Sequence, residues 1–139
     1  MSKIAVVFWS GTGNTEAMAN AVLEGVSSGA GGALFPASAF SADMMDQFDA
    51  IAFGCPSMGS EQLEDSEFEP MFQSCEAKLA GKRIALFGSY GWGDGEWMRA
   101  WAETCRADGA ILVCDPVICN NEPDDDAIAA CQALGRALA

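Results

Sequence analysis

Trp9-Ser10-Gly11-Thr12-Gly13-Asn14-Thr15-Glu16 joins an apolar run, Ile4 to Trp9, to a helical pattern whose apolar face is Met18, Val22, Leu23 and Val26. A buried strand passing at once into a helix, with hydroxyls, glycines and an Asn at the junction, offers a nest of backbone N–H groups at a helix N-terminus. Such a nest suits a phosphate. No Lys or Arg occurs between Ile4 and Ala77, so a phosphate held here depends on neutral donors and the helix dipole. The same residues also make an ordinary strand-to-helix turn in which Ser, Thr and Asn act as caps. On the loop alone both readings stand.

Two nucleotide signatures can be tested against it. A P-loop ends in Gly-Lys-Ser/Thr, whereas this loop has Gly13-Asn14-Thr15 and no lysine to reach a triphosphate. The dinucleotide pattern G-x-G-x-x-G puts its third glycine at Glu16, where an acid opposes both close packing and a pyrophosphate. Both fail, and what remains is a loop fitted to one phosphomonoester.

The rest of the chain bounds the class. A length of 139 residues is one domain, spanning residues 1–139, with a core of its own. No apolar run approaches the ~20 residues of a membrane span, and Lys3 leads straight into a strand without a secretory pattern. A cytoplasmic location with no membrane association is expected. Seven basic against twenty acidic residues give a net charge of −13, which repels nucleic acid and attracts basic proteins. The chain contains no His, so the usual general base and the commonest metal ligand are missing. The six cysteines form no C-x-x-C pair and no C-x₅-R loop. Cys75, Cys105 and Cys131 fall on apolar helical faces, as reduced core thiols do.

Short apolar runs alternate with helical periodicities, which predicts an α/β domain with a parallel sheet. The runs are Ile4–Trp9, Ala50–Gly54, Ile84–Gly88 and Ala110–Cys114, with a weaker edge strand near Ala33–Phe35. Helices carry Met18, Val22 and Val26, then Phe68, Met71, Phe72 and Cys75, then Trp97, Met98, Trp101 and Cys105, and finally Ile128, Cys131, Leu134 and Leu138. Residues 37–47 hold room for one short helix. Right-handed crossovers on both faces make this a three-layer doubly wound sandwich of five parallel strands, order 2-1-3-4-5. Ligands then bind where the loops after strands 1, 3 and 4 converge. Those loops are Ser10–Thr15, Cys55–Glu61 and Ser89–Asp94.

All three are unusual. In Gly88-Ser89-Tyr90-Gly91-Trp92-Gly93-Asp94-Gly95 the glycines leave Trp92 on an open backbone, where its indole can lie against something flat. Pro56-Ser57-Met58-Gly59-Ser60-Glu61 sets a polarizable Met beside a glycine. A phosphate nest, a stacking Trp, a Met for the opposite face and the Glu61 carboxylate together clamp a planar heterocycle with one phosphate on a linker. FMN fits that description.

Residues 9–16, the segment Met58-Gly59-Ser60-Glu61-Gln62-Leu63-Glu64-Asp65-Ser66-Glu67-Phe68-Glu69-Pro70, the segment Ala85 to Gly95, and Asn121-Glu122-Pro123 resemble the short-chain flavodoxins of anaerobic bacteria. The resemblance covers essentially the whole chain. It implies a low-potential one-electron carrier, not an enzyme, which shuttles non-covalently bound FMN between semiquinone and hydroquinone. By that resemblance, the loop Ser10, Gly11, Thr12, Gly13, Asn14 and Thr15 holds the phosphate. Trp92 and Met58 cover the two ring faces and Glu61 accepts from flavin N3–H. Gly91 and its neighbours, Tyr90 among them, donate N–H groups to the pyrimidine side. Ser89 serves the phosphate and ribityl end and Asn120 the ribityl and ring edge. The family flips the turn after Met58 so that the Gly59 carbonyl faces N5. Pro56 and Ser57, also placed at the cofactor by the resemblance, depart from the pattern, since some relatives have Ser where Pro56 stands and often Ala at Ser57.

The resemblance also implies partners: redox proteins that normally use ferredoxin, docked on the acidic surface of a monomer. Glu61, Glu64, Asp65, Glu67 and Glu69 lie beside the expected ring. They read as potential-tuning and docking charges, or as a solvated helix start. One carboxylate at about 10 Å repels an added negative charge by roughly 0.4–1.7 kcal/mol. A flavin reductase would need a substrate pocket over the ring, which no insertion in this chain provides. A phospho-acceptor domain would need acids at the end of strand 1 and a Lys after strand 5, and neither is present.

Overall fold

The computed structural model describes every residue of the chain except Met1, Ser2, Ser28 and Ser60. Strands β1 (Lys3–Phe8), β3 (Ala50–Gly54) and β4 (Arg83–Tyr90) are the near-continuous apolar runs, and they are buried almost throughout. Strands covered on both faces have no solvent side to supply polar residues. Strand β2 (Gly31–Pro36) flanks β1 as an edge, half-exposed along its length. Among the described residues every pairing between strands is parallel and the order is β2-β1-β3-β4-β5, the doubly wound order expected.

The fifth position differs from expectation. The run 110–114 makes only a two-residue strand, β5 (Ile111–Leu112), and pairing with β4 resumes at β6 (Val117–Asn120). Between them β4 supplies Ala85 and Leu86, whereas the outer chain inserts Val113, Cys114, Asp115 and Pro116. Pro116 has no N–H for the ladder, which fits a lapse in pairing on an edge. The resumed strand carries the sheet on to Tyr90↔Asn120. Residues 37–47, where one short helix was expected, form two 3₁₀ turns, Ala37–Ala39 and Ala42–Gln47.

Alternation along the strands divides the core in two. Val7, Ile51, Phe53, Ile84 and Leu86 face helices α2 (Phe68–Cys75) and α3 (Glu96–Ala107). Ile4, Val6, Ala52, Ala85 and Phe87 face α1 (Asn14–Ser27) and α4 (Asp125–Leu138). The last two helices cross closely at a pair of glycines. A Cβ on Gly25 would lie 2.0 Å from the Gln132 carbonyl oxygen, and one on Gly135 would lie 2.1 Å from that of Val22. Among the described residues all six cysteines are free thiols. Burial pushes the thiols of Cys105 and Cys131 up to about 12, so they are protonated packing groups.

Glu64 organises the entry to α2. It is 5% exposed, and its carboxylate accepts from the N–H groups of Ser66, Glu67 and Phe68 at 2.8–2.9 Å and from the Ser66 hydroxyl. Burial alone would raise the carboxyl pKa. The donors of Ser66, Phe68 and Glu67 outweigh burial and hold it below the usual carboxylate range. The Glu64 N–H in turn donates to the buried Cys55 Sγ at 3.3 Å, which ties this turn to the end of β3.

Two outcomes follow for stability. Gly135→Ala puts a Cβ against fixed backbone, at an overpacking cost of about 1–3 kcal/mol that exceeds the ~1 kcal/mol gain in helix propensity. Its urea midpoint should fall, and a rise would contradict the close crossing. Because the folded-state pKa of Glu64 is depressed, its contribution is present above the unfolded value near 4.5 and lost as pH falls through the folded value. Glu64→Gln should lower stability at pH 7 by about 1–3 kcal/mol. It should also flatten the loss of stability on acidification below that value, read from urea melts at stepped pH.

Candidate functional site

The ends of the central strands hold the loops side by side. Trp9 N–H donates to the Gly54 carbonyl at 3.0 Å, Cys55 N–H to Phe87 at 3.1 Å, and Ser57 N–H to Ser89 at 3.0 Å. Asn121 N–H reaches the Tyr90 carbonyl at 2.8 Å, which adds the loop after β6. Contact below is backbone to backbone: a Cβ on Gly88 would lie 2.2 Å from the Cys55 carbonyl oxygen, so any larger residue would force β3 and β4 apart. That carbonyl also accepts from Trp97 Nε1 at 3.1 Å, which pins α3 under the site.

A cleft of about 210 Å³ opens among these loops. From the first loop it is lined by Gly11, Thr12 and Asn14, from the second by Pro56, Ser57 and Met58, and from the third by Ser89, Tyr90 and Gly91. The structure therefore brings the three unusual loops into one place. No Lys or Arg is among the lining residues.

The first loop is built as a nest. Ser10 Oγ accepts from the Gly13 N–H at 3.0 Å, and Gly13 takes a φ of +95°. The first N–H groups of α1, at Asn14, Thr15 and Glu16, have no intrahelical acceptor. Thr15 is 1% exposed, yet its Oγ1 has no hydrogen-bond partner. A buried hydroxyl left unpaired costs about 1–3 kcal/mol; Thr15 is not among the residues that line the cleft, but an anion seated at this helix start within reach of Oγ1 would remove that cost. This donor set, hydroxyls and amides without a cation, fits the phosphate of FMN.

The second loop is a closed turn. Met58 and Gln62 exchange N–H to carbonyl hydrogen bonds of 2.8 and 2.9 Å, and Gly59 and Glu61 between them both have φ of +53°. Ser60, part of the quoted motif, lies outside the described residues. Met58 is 38% exposed and Trp92 of the third loop 61%. Met58 lines the cleft and Trp92 does not, but two large apolar side chains left in water on neighbouring loops are groups in want of a surface to cover. Glu61 does not line the cleft. Its Oε1 accepts from the Glu96 N–H at 3.1 Å, the first residue of α3, and its carboxylate packs on Gly93, where a Cβ would come within 2.5 Å.

Two other expected positions are engaged within the protein. Ser89 Oγ donates to the Asn121 carbonyl at 2.7 Å, so its hydroxyl proton ties β4 to the last loop. Asn120 Nδ2 donates to the Tyr90 carbonyl at 3.3 Å, and it is Asn121, with a φ of +58°, that lines the cleft. Trp9 also lines it, and the residue types alone gave it no role there. An Asn tolerates positive φ better than most residues. That tendency, in a loop already quoted as a motif, is the signal that could have singled out Asn121.

Comparison with known proteins agrees with this geometry. A sequence profile described as Flavodoxin matches residues 6–134. The flavodoxin of Megasphaera elsdenii is 46% identical over 139 residues, 98% of each chain, and that of Clostridium beijerinckii is 46% identical over 121 residues, 86% of this chain and 88% of the relative. The solution structure of two-electron reduced M. elsdenii flavodoxin superposes with a TM-score of 0.90 at 45% identity, covering 97% of both chains. An archaeal flavodoxin structure, 29% identical, gives 0.84 over 98% of this chain and 95% of the other. Matched over nearly its whole length by the family profile and by these relatives, this chain belongs to the flavodoxin family.

Proposed function

We propose that FMN sits in the cleft between the four loops and that the protein works as a low-potential one-electron carrier between redox proteins. The observation that carries this is Thr15 Oγ1, a buried hydroxyl without a partner at the start of a helix whose surroundings hold no cation. Bound there, FMN would supply the electron-carrying chemistry, as in the family, whose members are carriers rather than enzymes.

The residues divide the work. Thr15 Oγ1, the hydroxyls of Ser10 and Thr12, the Asn14 side chain and the N–H groups of the loop hold the phosphate. Pro56 brings no donor, and Ser57, which lines the cleft one residue on, offers the hydroxyl that Pro56 lacks. Met58 and Trp92 bracket the ring and exclude water from its faces. The Tyr90 and Gly91 amides serve its pyrimidine side, and Ser89 and Asn120 steady that end of the cleft through Asn121 and Tyr90. Glu61 holds the α3 N-terminus with Oε1 and has a second oxygen to accept from a ring N–H. Gly59, at φ +53° with open space where a Cβ would be, can turn its carbonyl while the Met58–Gln62 pair stays closed.

The chemistry this favours is reduction at low potential. A negative charge added beside a phosphate, with no lining cation, is raised in energy, and a shift of ~1.4 kcal/mol corresponds to ~59 mV for one electron. The charge of −13 also selects basic partners, such as the redox proteins that otherwise use ferredoxin. No described helix is long and apolar enough to cross a membrane. The proposed setting is the cytoplasm, with the protein a monomer.

Potentiometric titration of the visible spectrum under anaerobic conditions should show bound FMN reduced in two resolved one-electron steps. A single two-electron step would point to a reductase instead. Thr15→Val, nearly isosteric, should weaken FMN binding by roughly 10- to 100-fold, the value of a hydrogen bond to a charged group, and leave riboflavin binding unchanged. Equal losses for both would place Thr15 outside the phosphate site. Electron-transfer rates with a basic partner should fall steadily as salt rises; rates indifferent to salt would remove the docking role of the acidic surface.

A further inference from the structure

Beside the phosphate loop lies a second cavity of about 240 Å³, walled by Trp9 and Ser10 on one side and by Pro36, Glu16 and Glu67 on the others. Trp9 belongs to both this cavity and the cleft. Its indole runs close beside Gly11, where a Cβ would lie 3.0 Å from Cη2 and 3.2 Å from Cζ3. Its Nε1 donates to Glu67 Oε1 at 3.1 Å. Glu67 is the residue just before α2, and its own N–H is held by Glu64 Oε1 at 2.8 Å. The chain from Glu64 through Glu67 to Trp9 therefore runs from a buried, fully donated carboxylate to the underside of the nest.

We propose that Trp9 is a positioning residue for the phosphate loop, and that Glu67 sets its ring through the Nε1–H···Oε1 hydrogen bond. This rests on the FMN reading above. A loop with flexible glycines at positions 11 and 13 binds an anion only if its N–H groups are held converging, and a flat ring against Gly11 limits the conformations the loop can take. An indole free to turn about its side-chain bonds would leave that wall undefined. The Glu67 carboxylate, carried on a backbone that Glu64 holds, fixes the ring at one orientation. It also brings a negative charge toward the phosphate, so Glu67 acts in two opposed ways: its acceptor oxygen helps and its charge hinders.

That opposition makes the test specific. Glu67→Gln keeps an acceptor oxygen and removes the charge, whereas Glu67→Ala removes both. The two variants have equal net charge and differ in the hydrogen bond. Affinities of the flavin-free full-length chain for FMN and for riboflavin are measured by fluorescence titration. The Gln variant should bind FMN about three- to tenfold more tightly than the Ala variant, the range for one partly exposed hydrogen bond, with riboflavin affinities equal within twofold. Repeated in a Trp9→Phe background, which keeps a ring and loses the N–H, the difference between Gln and Ala should vanish.

Equal FMN affinities for the Gln and Ala variants would overturn the role of the hydrogen bond. A Gln–Ala difference that persists in Trp9→Phe would assign the effect to another partner of Glu67, and parallel losses for riboflavin would make Trp9 a merely structural residue. Each of these three outcomes overturns the proposal while leaving FMN as the ligand. Failure of the unaltered chain to bind FMN would overturn the cofactor reading and this proposal together.

Discussion

Parallel pairing of β1, β3 and β4 up to their last residues is the constraint on which the site depends. Trp9, Cys55 and Ser57 each spend their N–H on the neighbouring strand, and the backbones at Gly88 and Cys55 are too close for a side chain. Loops that begin from a fixed line of this kind can be short, because each is positioned before its own residues contribute anything. The nest, the Met58 turn and the glycine-rich third loop need to determine only a few dihedrals each. This is why the apolar strands, far from any ligand chemistry, decide where that chemistry takes place. It also explains why the second half of the outer strand matters. Once β6 resumes pairing, Asn121 stands against the Tyr90 carbonyl and closes the fourth side of the cleft.

What can be read from the chain follows from how local each determinant is. The central strands are legible because burial on two faces leaves an unbroken apolar run, and the helices because one apolar face repeats with a fixed period. The loops are legible as a set because their residue types are costly or idle anywhere but at a ligand. The division of the outer strand is not legible in the same way. Val113 and Cys114 continue the apolar run, and only pairing with β4 reveals that Ile111–Leu112 is the whole of the first segment. Residues 37–47 carry Phe40, Met44 and Met45, a spacing that one helix or two 3₁₀ turns would bury equally well.

Least legible are the directions of the glutamates. In sequence, Glu61, Glu64, Asp65, Glu67 and Glu69 form one acidic cluster. In the fold, Glu64 turns inward to cap α2, Glu61 reaches across to the first N–H of α3, and Glu67 receives the Trp9 indole. No periodicity predicts this, because each carboxylate answers a donor brought from a different part of the chain. Asn120 and Asn121 show the same limit: adjacent and chemically identical, they are separated in role by one backbone conformation.

This redistribution alters how the charge of the protein acts on its site. A carboxylate that accepts several backbone N–H groups is still an anion, but donors turned toward it offset much of its field at short range. Glu64, with four hydrogen bonds around it, is screened most, and Glu61 faces the positive end of α3. The acids best able to reach a partner are the exposed ones, such as Asp65, Asp94 and Glu96, and of these Asp94 and Glu96 are already paired with Arg99. A low potential here therefore depends less on a crowd of nearby anions than on what the lining omits. On the proposed reading the phosphate would be met by Thr15, Ser10, Thr12 and amide groups, none of which carries the full positive charge that would stabilise an added electron. Neutral donors would hold a phosphate while leaving the reduced state of the cofactor uncompensated, and that is an electrostatic reason for a nest without a cation.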